Sequence, residues 1–182
     1  MYTPNDAAPP SKAEKLGAYM VLQFLPDGHW QLRPGDLAAY VADIAPEHRA
    51  LVQDWILFYI AWLFRLYVAG KFGNAVAREM MDAIYYRAAQ HDDMKGLGAN
   101  IKAWFNQLDA AGAGVRRGLK IGGLDVPSTV YAAMRFMSAD PESPCYEGKN
   151  TDDPFSDQVM VVIGRVHGDM LTPIGAAVDA FG

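Results

Sequence analysis

The stretch from Trp55 to Phe64 constrains the fold more than any other part of this sequence. It runs between Asp54 and Arg65 without a charged residue. Six aromatic residues lie within it or just after it, namely Trp55, Phe58, Tyr59, Trp62, Phe64 and Tyr67. Because this much aromatic surface is costly to leave in water, the rest of the fold, a second subunit or lipid must cover it.

The residues around this stretch predict a helix over 46–69. Pro46 suits a first helical turn, and Gly70 and Gly73 follow the last apolar residues. At helical spacing, one narrow stripe holds Glu47, Asp54, Ala61 and Arg65, and nearly every other direction is apolar. We therefore expect this helix at the centre of a bundle. A membrane span needs roughly 20 apolar residues, and charged residues interrupt this run too early, so the sequence predicts no membrane span.

Helical signals recur along the chain and predict an all-α fold. Ser11-Lys-Ala-Glu14 fits a capping box opening a helix to Leu25, and a β-hairpin near 19–33 is the alternative for that region. Apolar periodicity predicts further helices over about 36–44, 74–90, 100–111 and 128–137. We expect an irregular multi-helix bundle around helix 46–69.

The last predicted helix begins at Pro154 and continues to about Met170. The β-branched run Val161–Ile163 suits a strand equally well, so that alternative stays open. If the segment is helical, Gly164 and Gly168 would permit the close approach of another helix.

Length and charge bound the domain organisation. The 182 residues fit one helical domain over 11–182, preceded by a flexible tail at 1–10. An exposed acidic loop is expected at 139–153, because the sequence there is rich in proline and acids and lacks periodicity. The composition is 51% hydrophobic and 20% charged, which indicates a globular protein with a sizeable core.

The net charge of −5 argues against nonspecific binding to nucleic acid, which requires phosphate neutralisation. A single cysteine, Cys145, cannot form an internal disulfide, and the first residues lack the basic and apolar regions of a signal peptide. These features predict a cytoplasmic protein.

A glycine-rich basic stretch at 112–123 has two interpretations. Its backbone amides and the side chains of Arg116, Arg117 and Lys120 could bind an anion. However, it lacks the ending of a phosphate-binding P-loop and no predicted strand precedes it. A flexible basic connector between two helices is the interpretation we favour.

The residues His91-Asp92-Asp93-Met94-Lys95 resemble the His-Asp-x-x-Lys pattern of the HD-domain phosphohydrolases, an all-α family. The resemblance implies a divalent metal held by His91 and Asp92, with His48 as the histidine from an earlier helix and Asp157 or Asp169 as the later aspartate. Such a metal would activate a water molecule. The alternative interpretation, which we favour, is that His91 lies in the last turn of a helix and the acids belong to the following loop.

The aromatic excess, without a convergent polar site, favours a non-enzymatic protein that self-associates or docks a protein partner. The predicted interface anchors are Trp55, Tyr59, Trp62, Tyr67, Trp104 and Phe105. No cofactor is expected, and a divalent metal belongs only to the phosphohydrolase alternative. A third hypothesis is a small apolar ligand held between helices by Met80, Met81, Tyr85 and the aromatic helix.

Overall fold

The computed structural model describes residues 9–24, 37–88, 106, 119–121, 124–126 and 155–182. In these residues the fold consists of packed helices, which confirms the predicted all-α class. The helices are α1 (Lys12–Phe24), α2 (Leu37–Tyr40), α3 (Arg49–Phe72), α4 (Asn74–Ala88) and α5 (Phe155–Asp179), and a 3-10 turn at Pro46–His48 leads into α3. A small antiparallel sheet pairs β1 (Leu119–Ile121) with β2 (Leu124–Val126).

Helix α3 is the centre of the bundle, as its composition predicts. Every residue from Phe58 to Phe64 is buried, so the helix is enclosed on all sides for about two turns. Ala61 belongs to the predicted polar stripe but is only 2% exposed, so the stripe does not reach solvent in this part of the helix. The helix ends at Gly73, which has a φ of +91°, a conformation that glycine adopts without steric cost.

Helix α1 begins with the predicted capping box. The Ser11 backbone N–H donates to Glu14 Oε2 at 2.7 Å, and the Glu14 N–H donates to Ser11 Oγ at 3.2 Å. Two amides that no helical carbonyl could reach are thereby satisfied. The alternative hairpin near 19–33 is wrong over 19–24, which belongs to α1, because the capped helix buries Leu16 and Met20 on one face.

Helix α1 runs antiparallel to α3. The Lys12 ammonium lies 4.2 Å from the ring centroid of Phe72, and the Tyr19 ring stacks on Phe64 with centroids 5.7 Å apart. Helix α1 also crosses α4 at Gly17, where a Cβ atom would lie 2.7 Å from the Ala83 Cβ. Only glycine fits this crossing without displacing α4.

Helix α5 is long and runs parallel to α3. Tyr59 of α3 contacts His167, and Lys71 contacts Asp179, so both pairs are separated by 108 residues along the chain. One face of α5 is buried against the core, and it holds Val159, Val162, Ile163, Val166, Met170, Ile174 and Val178. The strand alternative for Val161–Ile163 is therefore wrong, because helical spacing places apolar residues on this face along the whole segment.

The described helices do not make the expected close approach at Gly164 and Gly168. A Cβ added to either residue would meet no atom of the described residues within 4 Å. Both residues lie away from the buried face of α5, and the tight crossing is instead at Gly17 of α1.

The interpretation of 112–123 as a flexible connector does not hold for residues 119–121. These residues form β1, which pairs with β2 so that Lys120 lies opposite Asp125. Other predicted features lie outside the described residues. They are the tail before residue 9, the helix expected over 128–137, the acidic loop at 139–153, and the helix expected over 100–111 apart from residue 106, which is helical.

Candidate functional site

The aromatic side chains of α3 that were predicted as interface anchors lie mainly inside the fold. Trp55 is 5%, Tyr59 2% and Trp62 3% exposed, whereas Tyr67 is partly buried. Their apolar surface is covered within the chain. Trp104 and Phe105 lie outside the described residues.

Helix α3 is also apolar enough to raise the question of a membrane. Within the described segments, Pro46–Phe72 is the one helix whose length and composition would allow it to cross a bilayer. Most of the apolar segment of this helix is buried inside the protein, as is normal for the core helix of a bundle.

The proposed metal ligands are only partly described. His48 lies in the 3-10 turn before α3, whereas His91 and Asp92 are outside the described residues. Among the residues that the structure does describe, no group of three or more histidine, cysteine or acidic side chains could hold a metal ion. The later aspartate candidates are on α5, where Asp169 accepts a hydrogen bond from Tyr40.

The candidate anion-binding stretch is represented by Lys120 alone, since Arg116 and Arg117 are outside the described residues. Lys120 lies in β1 opposite Asp125 of β2.

A polar contact joins α3 and α5 beside the core. The Tyr59 hydroxyl and His167 Nδ1 are 2.9 Å apart and share a hydrogen bond. Because burial removes water from the imidazole, the pKa of His167 is lowered from its usual value. His167 directly follows Val166, which lies on the apolar face of the helix, and this local pattern gives no sign of a partner for the histidine in another helix.

A second polar contact joins α2 to α5. The Tyr40 hydroxyl donates to Asp169 Oδ2, and the Arg165 guanidinium lies 4.8 Å from the Tyr40 ring centroid. Burial and then the bond to Asp169 raise the pKa of Tyr40 to about 12, so the phenol stays protonated at neutral pH. Tyr40 therefore fastens the short α2 to α5 and is poorly suited to act as a base.

The His167 contact leads to a prediction about pH. The unfolded chain takes up a proton near pH 6.5, whereas folded His167 does so at lower pH, so His167 reduces the stability of the fold as the pH falls below that value. We expect the free energy of unfolding to fall between pH 7.5 and pH 5.5, and to fall less in His167→Gln. Urea unfolding at several pH values measures this difference.

Tyr59→Phe is the control for that prediction, because it removes the hydroxyl partner and keeps the imidazole. It should lower stability by about 0.5–1.5 kcal/mol at pH 7.5 while a pH dependence due to His167 remains. Identical pH profiles for wild type and His167→Gln would contradict the burial of a neutral imidazole.

A cleft lies between α1 and α4, and we call it the tyrosine groove. Its volume is about 490 Å³, and it is lined by Ser11, Ala13, Glu14, Glu79, Asp82, Ala83, Tyr86 and Arg87. Met80 and Met81 are not among these residues, so the cleft differs from the apolar ligand site considered from the sequence. Three carboxylates and one guanidinium give the groove an acidic character.

Tyr86 lines this groove near the end of α4, and Tyr85 precedes it on the same helix. Tyr86 is 67% exposed and Tyr85 is 40% exposed, and their rings meet edge to face with centroids 5.6 Å apart. The only other exposed large apolar side chain in the described segments is Val161 on α5. The sequence carries a signal for this exposure, since Tyr85 and Tyr86 directly follow the core position Ile84, and three consecutive helical residues cannot all face the core.

Comparisons with known proteins give no relative for this chain. No protein-family model matches it, and neither the curated proteins nor the solved structures contain a significant match. The resemblance to the HD-domain phosphohydrolases therefore rests on residues 91–95 alone.

Proposed function

We propose that this protein is a non-enzymatic helical protein that acts by self-association through the tyrosine groove. The observation that carries the proposal is Tyr86, which lines the cleft and is 67% exposed, with the ring of the 40% exposed Tyr85 in edge-to-face contact with it. Tyrosine is enriched at the centres of protein interfaces, because its ring gives apolar contact area and its hydroxyl still bonds to water or a partner.

The position of these tyrosines supports a docking role. The Tyr86 side chain lines the cleft beside the crossing of α4 with α1, where Gly17 allows the two helices to approach closely. A surface supported by two packed helices changes little on binding, so little conformational entropy is lost in the complex. The predicted anchors Trp55, Tyr59 and Trp62 would be unsuitable, because exposing them would require the core to open.

The proposal predicts that wild-type protein forms a reversible dimer at tens of micromolar and that Tyr86→Ser weakens it. Truncating an interface tyrosine costs 2 kcal/mol or more at a central position, so we expect the dissociation constant to rise by roughly 30-fold. Sedimentation velocity over a concentration series measures both values.

Val161→Ser is the matched control, since Val161 is as exposed as Tyr86 but lies on α5. It should leave the dissociation constant unchanged. A wild-type protein that stays monomeric at tens of micromolar, or an equal effect of both substitutions, would overturn the proposal.

A further inference from the structure

The tyrosine groove carries a charge pattern that specifies its partner. Among the described residues, Glu14, Glu79 and Asp82 line it together with one cation, Arg87, and all four side chains are exposed. Glu14 is held in place, because its carboxylate accepts the capping hydrogen bond from the Ser11 N–H. A surface with excess negative charge and exposed tyrosine rings fits a cationic segment, above all one that contains arginine.

The exposed tyrosine ring favours arginine over lysine in the bound segment. The guanidinium of arginine is planar and stacks on aromatic faces, whereas the lysine ammonium is compact and more strongly hydrated. Tyr86 is 67% exposed beside the carboxylates, so a guanidinium entering the groove could contact a ring and an acid together. Arginine is therefore the expected central residue of the occupant.

The chain itself contains such a segment. Arg116, Arg117 and Lys120 lie within five residues, and no acidic residue occurs between Asp109 and Asp125. Elsewhere the acids and bases are interspersed, apart from the acidic stretch at 140–157. This basic segment is the strongest charge complement to the groove in the sequence.

We infer that the groove of one copy binds the basic segment Arg116–Lys120 of a second copy. The inference rests on the proposed self-association and adds the identity of the docking segment. In a two-fold symmetric dimer each copy supplies one groove and one basic segment, so the contact occurs twice and its effect is doubled. Because exposed charges are screened by salt, the dimer should weaken as ionic strength rises.

Charge reversal in two separate proteins tests this pairing. Glu79→Lys with Asp82→Lys makes the groove basic, and Arg116→Glu with Arg117→Glu makes the segment acidic. Like charges then oppose each other in each homodimer, so we expect each dissociation constant to rise by at least about tenfold. Mixing the two proteins pairs opposite charges at both contacts, so a heterodimer of near wild-type affinity should form.

Asp43→Lys with Glu47→Lys is the control for net charge, since both acids are exposed and lie outside the groove. It should dimerise as wild type does, and circular dichroism establishes that every variant is folded. Sedimentation velocity on single and mixed proteins gives the readout.

The outcomes separate the two proposals. If wild type dimerises but charge reversal has no effect, or the mixture does not recover, the basic-segment inference is overturned while self-association stands. If wild type is monomeric at tens of micromolar, both are overturned. A chain that carries all four substitutions tests binding within one copy. If this chain is monomeric and regains the stability that each double substitution loses, the segment binds the groove of its own copy, and the inference between copies is wrong.

Discussion

Phe64→Ala should lower the free energy of unfolding by about 3–5 kcal/mol, the range for removing a fully buried aromatic ring from a core. Phe64 is completely buried in α3, and the Tyr19 ring of α1 stacks on it. The substitution leaves a cavity where α1 and α3 meet, and it also removes the aromatic partner of Tyr19. Because small domains are stable by only about 5–15 kcal/mol, this variant should unfold at much lower urea concentration.

Tyr86→Ala is the control for Phe64→Ala, since it removes a similar ring from a side chain that is 67% exposed. A surface substitution of this kind should change the stability of the monomer by no more than about 0.5 kcal/mol. Urea unfolding at low protein concentration measures the free energy of unfolding of Phe64→Ala, Tyr86→Ala and wild type. If Phe64→Ala costs no more than the control, the α3 face at Phe64 is not enclosed by this fold.

Gly17→Ala should destabilise the protein by about 1–3 kcal/mol, the usual range for overpacking a closed interface. The added Cβ would lie 2.7 Å from the Ala83 Cβ and 3.1 Å from the Met80 carbonyl oxygen. A carbonyl oxygen within a helix cannot move far, so α1 and α4 must separate. This cost should exceed the gain of about 1 kcal/mol that alanine has over glycine inside a helix.

Gly168→Ala gives the same chemical change with the opposite expected sign. A Cβ at Gly168 meets no atom within 4 Å in the part of the chain that the structure describes, so the variant should be more stable by about 0.5–1 kcal/mol. Thermal unfolding measures whether the melting temperature falls in Gly17→Ala and rises in Gly168→Ala. The tight crossing would be refuted if Gly17→Ala were also stabilising.

Ala83→Gly tests the cause of the Gly17 effect. It removes the atom closest to the added Cβ, so its cost should be smaller in the Gly17→Ala background than in wild type. Additive effects would mean that Ala83 and Gly17 do not share the crossing.

The sequence predicts the helices of this protein well, because their signals are local. The Ser11–Glu14 capping box and the enclosed composition of α3 each depend on residues within a few turns, and both predictions are confirmed. The hairpin was missed, although Gly-Gly between two short alternating segments is a common signal for a tight turn.

Contacts between distant elements could not be predicted from local patterns. Gly17 shows the tight crossing only when α4 is placed against it, whereas Gly164 and Gly168 carried the more obvious small-residue spacing. In the same way, the aromatic residues of α3 suggested a docking surface, but the described structure buries most of them and exposes Tyr86. Which apolar residues remain at the surface depends on the arrangement of all helices.

The parallel pairing of α3 and α5 has a consequence for how the chain reaches its folded state. The partners Tyr59 and His167 are 108 residues apart, so a long loop must close before this seam gains any packing energy. During synthesis, α3 emerges from the ribosome well before α5, and its apolar surface stays without that cover until the last helix follows. Chaperone dependence and aggregation of nascent chains should therefore be greatest in this interval.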